Sequence, residues 1–270
     1  MPISFAGKVR AGDVELHAEV RGDGPPVVLV PGAGGDAGQY ARLASQMSDR
    51  ATVITYDRRS NSRSDRAADW SSTSVGQQAN DLAELVAAVA AGPVDVFGNS
   101  IGAVIATAFA TAYPDRVARL VVHEPAVMAV LAEPDAAMAV VQPVIAAGMQ
   151  TGGPRGGAEA FLRFAAGAAY ELIDPDCLER MLDNAEVLFQ AEFGTFSSWA
   201  PQEDTLGALT MPIEVLVAEQ SAPFFAEAAE WIAERAGARV ETVPGGHMGF
   251  LEHPEAFATR LAGSGTGVRR

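Results

Sequence analysis

Residues 14–20 alternate apolar and polar side chains, setting Val14, Leu16, Ala18 and Val20 against Glu15, His17 and Glu19. A period of two is the signature of a strand with one buried face. After a turn at Arg21-Gly22-Asp23-Gly24 the pattern changes to short, mostly apolar runs at 26–30, 51–56, 94–97 and 117–123. Such runs suit strands buried on both faces, as in parallel sheets. Helical stretches lie between them. Residues 37–47 form one. Residues 77–91 form another, with Leu82, Leu85, Val86 and Val89 on one face and Gly92-Pro93 ending it. An Ala-rich stretch from Ala103 to Tyr113 is the third.

Strands alternating with helices at this spacing predict βαβ units and an α/β fold with a mainly parallel sheet, covered on both faces. The rhythm fails from Ala126 to about Trp199. There, helix-like segments rich in Ala, Met and Phe (136–147, 157–171, 176–193) follow one another without a strand. It resumes with a strand at 213–218, a helix over 222–236, a strand over 239–243 and a last helix after His253-Pro254. The pattern divides the chain into a core (1–125), a helical cap insertion (126–205), the rest of the core (206–262) and a tail (263–270). The Gly/Ser/Thr composition of that tail predicts a flexible end.

Composition narrows this reading. At 270 residues the chain accommodates one large α/β domain carrying an insertion. Hydrophobic residues at 49% against 20% charged mark a folded globule. The formal charge of −15 repels phosphate backbones and anionic lipid, which argues against nucleic acid or a membrane surface as partner. No apolar run reaches the ~20 residues needed to cross a bilayer. Met1-Pro2-Ile3-Ser4-Phe5 lacks the basic and apolar regions of a signal peptide, so a cytoplasmic protein is expected. Cys177 stands alone and forms no internal disulfide. No metal and no cofactor are expected.

Candidate chemistry is concentrated at Gly98-Asn99-Ser100-Ile101-Gly102, between the run 94–97 and the Ala-rich helix. By chance a G-x-S-x-G pentapeptide occurs in roughly one chain of this length in ten. Placed on a strand-to-helix turn, however, it is the pattern of a nucleophile elbow, which holds a serine Oγ clear of the sheet. A serine needs a base to take its proton. Of four histidines, His17 falls on an outward strand face, His123 ends a buried strand, and His253 precedes a helix at the surface. His247 lies in Pro244-Gly245-Gly246-His247-Met248, a loop at the carboxyl edge of the last strand, where open α/β folds build their sites. His247 is therefore the expected base. The N–H of Ile101, at the start of the elbow helix, is an expected donor to a tetrahedral oxyanion.

On these motifs the chain resembles the α/β-hydrolase superfamily over nearly its whole length. Leu29-Val30-Pro31-Gly32-Ala33-Gly34 is similar to the superfamily's oxyanion loop, with Pro31 where many members have histidine. The resemblance implies the Ala33 N–H as second oxyanion donor and sets Gly32 against the substrate. Asp57-Arg58-Arg59-Ser60-Asn61-Ser62-Arg63-Ser64 resembles a D-x-R-G-x-G-x-S stretch, with Ser60 and Ser62 in place of both glycines. Gly246-His247 followed by Glu252-His253-Pro254 matches the closing pattern.

One departure matters. Members usually carry an acid after the penultimate strand, where this chain has Ser221, and a hydroxyl cannot stabilise an imidazolium. Glu124, at the end of the strand following the elbow helix, is the expected substitute; Glu219 is its main rival. Haloalkane dehalogenases and zearalenone-type lactone hydrolases resemble this chain in taking their acid there, and the lactone hydrolases also in Tyr113-Pro114-Asp115-Arg116 before His123-Glu124. Ser100, where dehalogenases have Asp, argues against their chemistry.

The expected activity is cofactor-free cleavage of a neutral, hydrophobic carboxylic ester or lactone through an acyl-enzyme. The alternative is a non-hydrolytic ligand receptor or biosynthetic cyclase on the same fold. In the insertion, Met128 and the Trp199 indole are expected to face a small-molecule substrate, whereas Arg155, Arg163 and Arg180 are expected on solvated faces.

Overall fold

The computed structural model describes residues 1–262. Eight strands form one sheet in the order β1-β2-β4-β3-β5-β6-β7-β8. They are β1 (Ile3–Ala11), β2 (Val14–Arg21), β3 (Pro26–Val30), β4 (Thr52–Tyr56), β5 (Val94–Asn99), β6 (Val117–His123), β7 (Ile213–Ala218) and β8 (Val240–Val243). β1 and β2 pair antiparallel with each other, β2 pairs antiparallel with β4, and every later pairing is parallel. The α/β class and mainly parallel sheet expected from the pattern are what the structure shows. β1 was not anticipated, although Ile3, Phe5, Gly7, Val9 and Ala11 alternate with polar or small residues. Its first half is exposed on both faces, so the alternation there carries little hydrophobic contrast.

Helices cover both faces of the sheet. One apolar core gathers Leu82, Leu85 and Val86 of α2 (Val75–Val89) with Val104, Ile105 and Phe109 of α3 (Ile101–Ala112), given α1 as Ala41–Met47. The other packs Leu43 and Met47 of α1 with Phe97, Phe250 and Phe257. Among the described residues no helix is long and apolar enough to cross a membrane.

The segment between β6 and β7 is helical throughout its ordered elements. It contains α4 (Pro134–Ala166), α5 (Pro175–Asp183), α6 (Ala185–Val187), a π-helical turn (Leu188–Glu192), α7 (Phe193–Ser197) and α8 (Glu203–Gly207). Helix α4 is two arms. Gly152 and Gly153 leave helical geometry, Gly153 at φ 60°, and Pro154 restarts the helix. The arms then approach so closely that a Cβ on Gly148 would lie 2.3 Å from the Gly156 carbonyl oxygen. The chain returns through α9 (Pro223–Ala236), α10 (Gly249–Glu252) and α11 (Pro254–Ala262). The tail expected at 263–270 lies outside the described residues.

Candidate active site

In this strand order β3 has β4 on one side and β5 on the other. The loops leaving the carboxyl ends of β3 and β5 therefore diverge around a crevice, the switch point where doubly wound sheets bind ligands. Parallel register sets the next step. Asn99 pairs with His123, so the first residues beyond the two strands, Ser100 and Glu124, emerge side by side. The Ser100 N–H donates to the His123 carbonyl (3.1 Å), and the Glu124 N–H to that of Leu216 (2.9 Å). Both residues have positive φ, 58° and 48°, which non-glycine residues adopt at a cost of about 1–3 kcal/mol. Glycines flank the serine because nothing larger fits. A Cβ at 98 would lie 2.3 Å from the Gly102 carbonyl oxygen, and one at 102 would lie 2.1 Å from that of Val30.

His247 arrives on the loop after β8. The Gly246 N–H donates to Glu252 (2.9 Å), which ties that loop to α10. The ring Nδ1 lies 3.3 Å from Glu124 Oε2, and the other carboxylate oxygen accepts the Ala218 N–H at 2.9 Å. Glu124 is fully buried. Burial alone would raise its pKa, but the His247 ring and the Ala218 N–H hold it below the ordinary carboxylate value. The Ser221 hydroxyl, at the position where an acid is usual, donates to the Ala222 carbonyl oxygen at 3.2 Å. The rival, Glu219, is exposed. Among the described residues the Nε2 of His247 has no hydrogen-bond partner. It and Ser100 share one cavity without a closed bond between them, as is common before substrate tightens such contacts.

Two features here were missed at the level of sequence. Phe225 stacks on the His247 ring, centroids 4.2 Å apart and planes 13° apart. An aromatic face in that position favours the charged imidazolium over the neutral ring. Phe225→Leu is accordingly expected to lower kcat about 3- to 10-fold with little change in the reactivity of other sites; an unchanged kcat would make the stack a packing contact alone. The second is Asn99. With its amide nitrogen facing the acceptors, it reaches the His247 carbonyl oxygen (3.0 Å) and His123 Nδ1 (2.7 Å). It thereby links the strand before the serine to the loop carrying the histidine.

His123 itself is fully buried, and burial pushes its pKa down to about 3. Its unfolded value is near ~6.5, so the unfolded chain binds a proton that the folded one refuses as pH falls between those values. Stability is complete above that window and declines as pH falls through it, by about 2 kcal/mol at pH 5. Melting curves from pH 7 to pH 5 should show wild type losing Tm faster than His123→Leu. Parallel losses would remove His123 from the acid sensitivity.

Ser100 and His247 line one cavity. Its wall is apolar, with Met128, Met138, Phe161, Phe193, Phe196 and Phe224 prominent, and Ser197 adds the one further hydroxyl. Gly32 and Ala33 line a smaller recess that also reaches Ser100 and His247. Neither the Ala33 nor the Ile101 N–H meets an acceptor among the described residues. Trp199 lies elsewhere. It follows the end of α7 and is not among the residues lining the cavity, but packs against the apolar cluster that contains Met128 and Phe196. Arg180 also differs from expectation, because its guanidinium grips the buried Asp36 at 2.6 and 3.0 Å. Arg155 and Arg163 pair with exposed carboxylates on the surface. Ser60 and Ser62 keep the glycine-like backbone of the motif they alter, at φ 63° and 51°. Their hydroxyls add what glycine lacks: Ser60 accepts the Ala67 N–H, and Ser62 accepts the Asn184 amide from the helical segment.

A family model described as "Alpha/beta hydrolase family" matches residues 27–260. The uncharacterized hydrolase YraK of Bacillus subtilis is 36% identical over 125 residues, which is 46% of either chain. The chain thus spans less than half the length of this curated relative. A thermophilic esterase from Thermogutta terrifontis superposes with a TM-score of 0.75 at 24% identity, covering 96% of this chain and 97% of the other. The enol-lactonase from Burkholderia xenovorans LB400 gives a TM-score of 0.72 at 20% identity, covering 95% and 98%. At these identities the structural likeness is one of fold.

Proposed function

The chain belongs to the alpha/beta hydrolase family and has its fold, and from that premise we propose that it is a cofactor-free serine hydrolase of neutral, hydrophobic carboxylic esters or lactones. The observation that carries this reading is the buried Glu124 carboxylate on His247 Nδ1, with His247 and Ser100 lining one cavity. Glu124 fixes the imidazole tautomer that leaves Nε2 without a proton and stabilises the imidazolium formed next. Ser100 Oγ attacks the substrate carbonyl and yields its proton to Nε2. The N–H groups of Ala33 and Ile101, with no internal acceptor, hold the oxyanion. Collapse of the tetrahedral species breaks the ester C–O bond, and the alkoxide leaves with the proton from His247. Water activated by the same imidazole then hydrolyses the acyl-enzyme. In a lactone the leaving alcohol stays tethered to the acyl group.

The walls support the substrate class. Among the described residues no Asp, Glu, Lys or Arg lines the cavity of Ser100 and His247, so a substrate carrying a buried charge would lose its hydration without compensation. A more polar opening lies on the other side of His247, between Gln220, Gly246 and Glu252, and offers water a route to the imidazole. Glu124 against His247 also favours hydrolysis over a receptor or cyclase role, which needs no acid on the imidazole. The resemblance to zearalenone-type lactone hydrolases adds lactones to the candidates. The test is labelling by a fluorophosphonate together with a screen of short acyl esters, small lactones and macrocyclic lactones. Labelling confined to Ser100 with turnover of at least one class is expected. No labelling and no turnover, beside an active esterase control, would overturn the proposal.

A further inference from the structure

Among the described residues Arg58 is the largest fully buried side chain, and its partner Glu192 is equally buried. The pair is bidentate, Nη1 to Oε1 at 2.6 Å and Nη2 to Oε2 at 2.7 Å. Glu192 closes the π-helical turn of the segment between β6 and β7, and π-turns of this kind often mark functional positions. Asn61 donates to the same carboxylate at 2.9 Å. A buried ion pair is a poor device for mere attachment, because desolvation removes most of what the attraction gains and a hydrophobic pair would hold as well.

What distinguishes this pair is a third contact. Arg58 Nη2 also donates to the Gly32 carbonyl oxygen at 3.1 Å. The Gly35 N–H reaches the same oxygen at 3.1 Å, and the Arg58 N–H holds the Gly35 carbonyl at 2.8 Å. A trans peptide is planar, so fixing its C=O fixes the N–H on the opposite side. The peptide in question joins Gly32 to Ala33, and its N–H is the second oxyanion donor of the proposed mechanism. The following peptide is held as well, the Ala33 carbonyl accepting from Gln39 at 2.9 Å. The guanidinium lies 5.5 Å from the Phe196 ring centroid, and Phe196 lines the cavity.

We propose that Arg58, gripped by Glu192, is a positioning residue that orients the Gly32–Ala33 peptide, so that the oxyanion site is complete only when the helical segment is seated on the core. This rests on the serine-hydrolase reading above. Seating the segment brings Glu192 onto Arg58, Arg58 onto Gly32, and the Ala33 N–H toward Ser100. An unseated segment releases the guanidinium and lets the glycine-rich loop turn its peptide away.

Glu192→Gln tests this, with Asp81→Asn as the matched control. Arg59 and Asp81 form a second buried bidentate pair one residue along the chain, at 2.8 and 2.9 Å, with no contact to the oxyanion loop. Rates are taken per reactive serine, counted by fluorophosphonate titration. Glu192→Gln should lower kcat about 10- to 10³-fold with KM changed less than about 3-fold, the loss typical of one oxyanion donor. Affinity for a phenylboronic acid, whose tetrahedral adduct places an oxygen at the same donors, should fall in step. Asp81→Asn should keep its per-site kcat. An unchanged per-site kcat in Glu192→Gln, or an equal fall in the control, overturns the proposal. If Glu192→Gln does not fold, Arg58→Lys serves, since an ammonium keeps the charge but cannot span Glu192 and Gly32 together. If wild type itself neither labels nor turns over, the hydrolase reading fails separately. A crystal structure of the variant then decides the positioning claim: a Gly32–Ala33 peptide unmoved from its wild-type orientation refutes it.

Discussion

Ser100→Ala is expected to lower kcat on a hydrophobic ester by about 10⁴- to 10⁶-fold while KM stays within a few-fold. The reasoning is that of a covalent pathway. Without Oγ no acyl-enzyme forms, and what remains is water attacking a carbonyl polarised by two N–H groups, a residue of about 10³-fold over the uncatalysed rate. KM is spared because the apolar wall that binds the acyl group is made by other side chains. The removal of one hydroxyl at a nearly buried position also relieves no fold contact, since the Ser100 backbone makes the bonds that shape the elbow. Steady-state kinetics with chromogenic esters, on protein whose Tm matches wild type, measures this. Activity above about one percent of wild type would show that the serine is not the nucleophile, because no second hydroxyl of the cavity lies on a comparable turn.

Glu124→Gln is expected to cost about 10⁴-fold in kcat, with near-normal folding. Glutamine has the shape of glutamate, but its amide can donate to Nδ1, which favours the tautomer carrying its proton on Nε2, where the serine's proton must go. The imidazolium also loses its counter-charge. Glu124 is held below the ordinary carboxylate pKa, so it contributes its charge above that value and loses it only as pH falls through the depressed one. The wild-type rate near neutrality is thus independent of Glu124 titration. A second arm exploits Ser221, which follows the end of β7. Adding Ser221→Asp to Glu124→Ala should recover part of the lost rate, with the acid now supplied from the end of β7. A Glu124→Gln enzyme as fast as wild type would remove Glu124 from the mechanism.

Much of this site was legible in the chain before any coordinates. The elbow pentapeptide, the loop holding His247 and the strand end holding Glu124 are all short-range patterns, in which turn chemistry and apolar runs specify backbone direction locally. Parallel-sheet logic then places strand ends on one edge. The residues that escaped notice act through contacts between distant segments. Phe225 resembles any apolar residue in the first turn of a helix, and only the packing of α9 on the loop after β8 stacks it on His247. Glu192 resembles a solvated acid among many in a chain of charge −15, and nothing in its neighbours signals burial against Arg58, 134 residues earlier. Trp199, expected to offer its indole N–H to substrate, is not among the residues lining the cavity and packs against a neighbouring apolar cluster.

The amino-acid order by itself determined the alternation of strands and helices, the turn that strains Ser100, and the edge of the sheet on which its partners stand. These follow from local sterics and from the periodicity of apolar side chains, which each segment carries whatever the rest of the chain does. Only the tertiary structure decided which carboxylate touches His247, and that a buried guanidinium joins the helical segment to the Gly32 carbonyl. Those depend on through-space distances between segments tens to more than a hundred residues apart, and the energies involved change sign with burial and pairing, which no local pattern encodes.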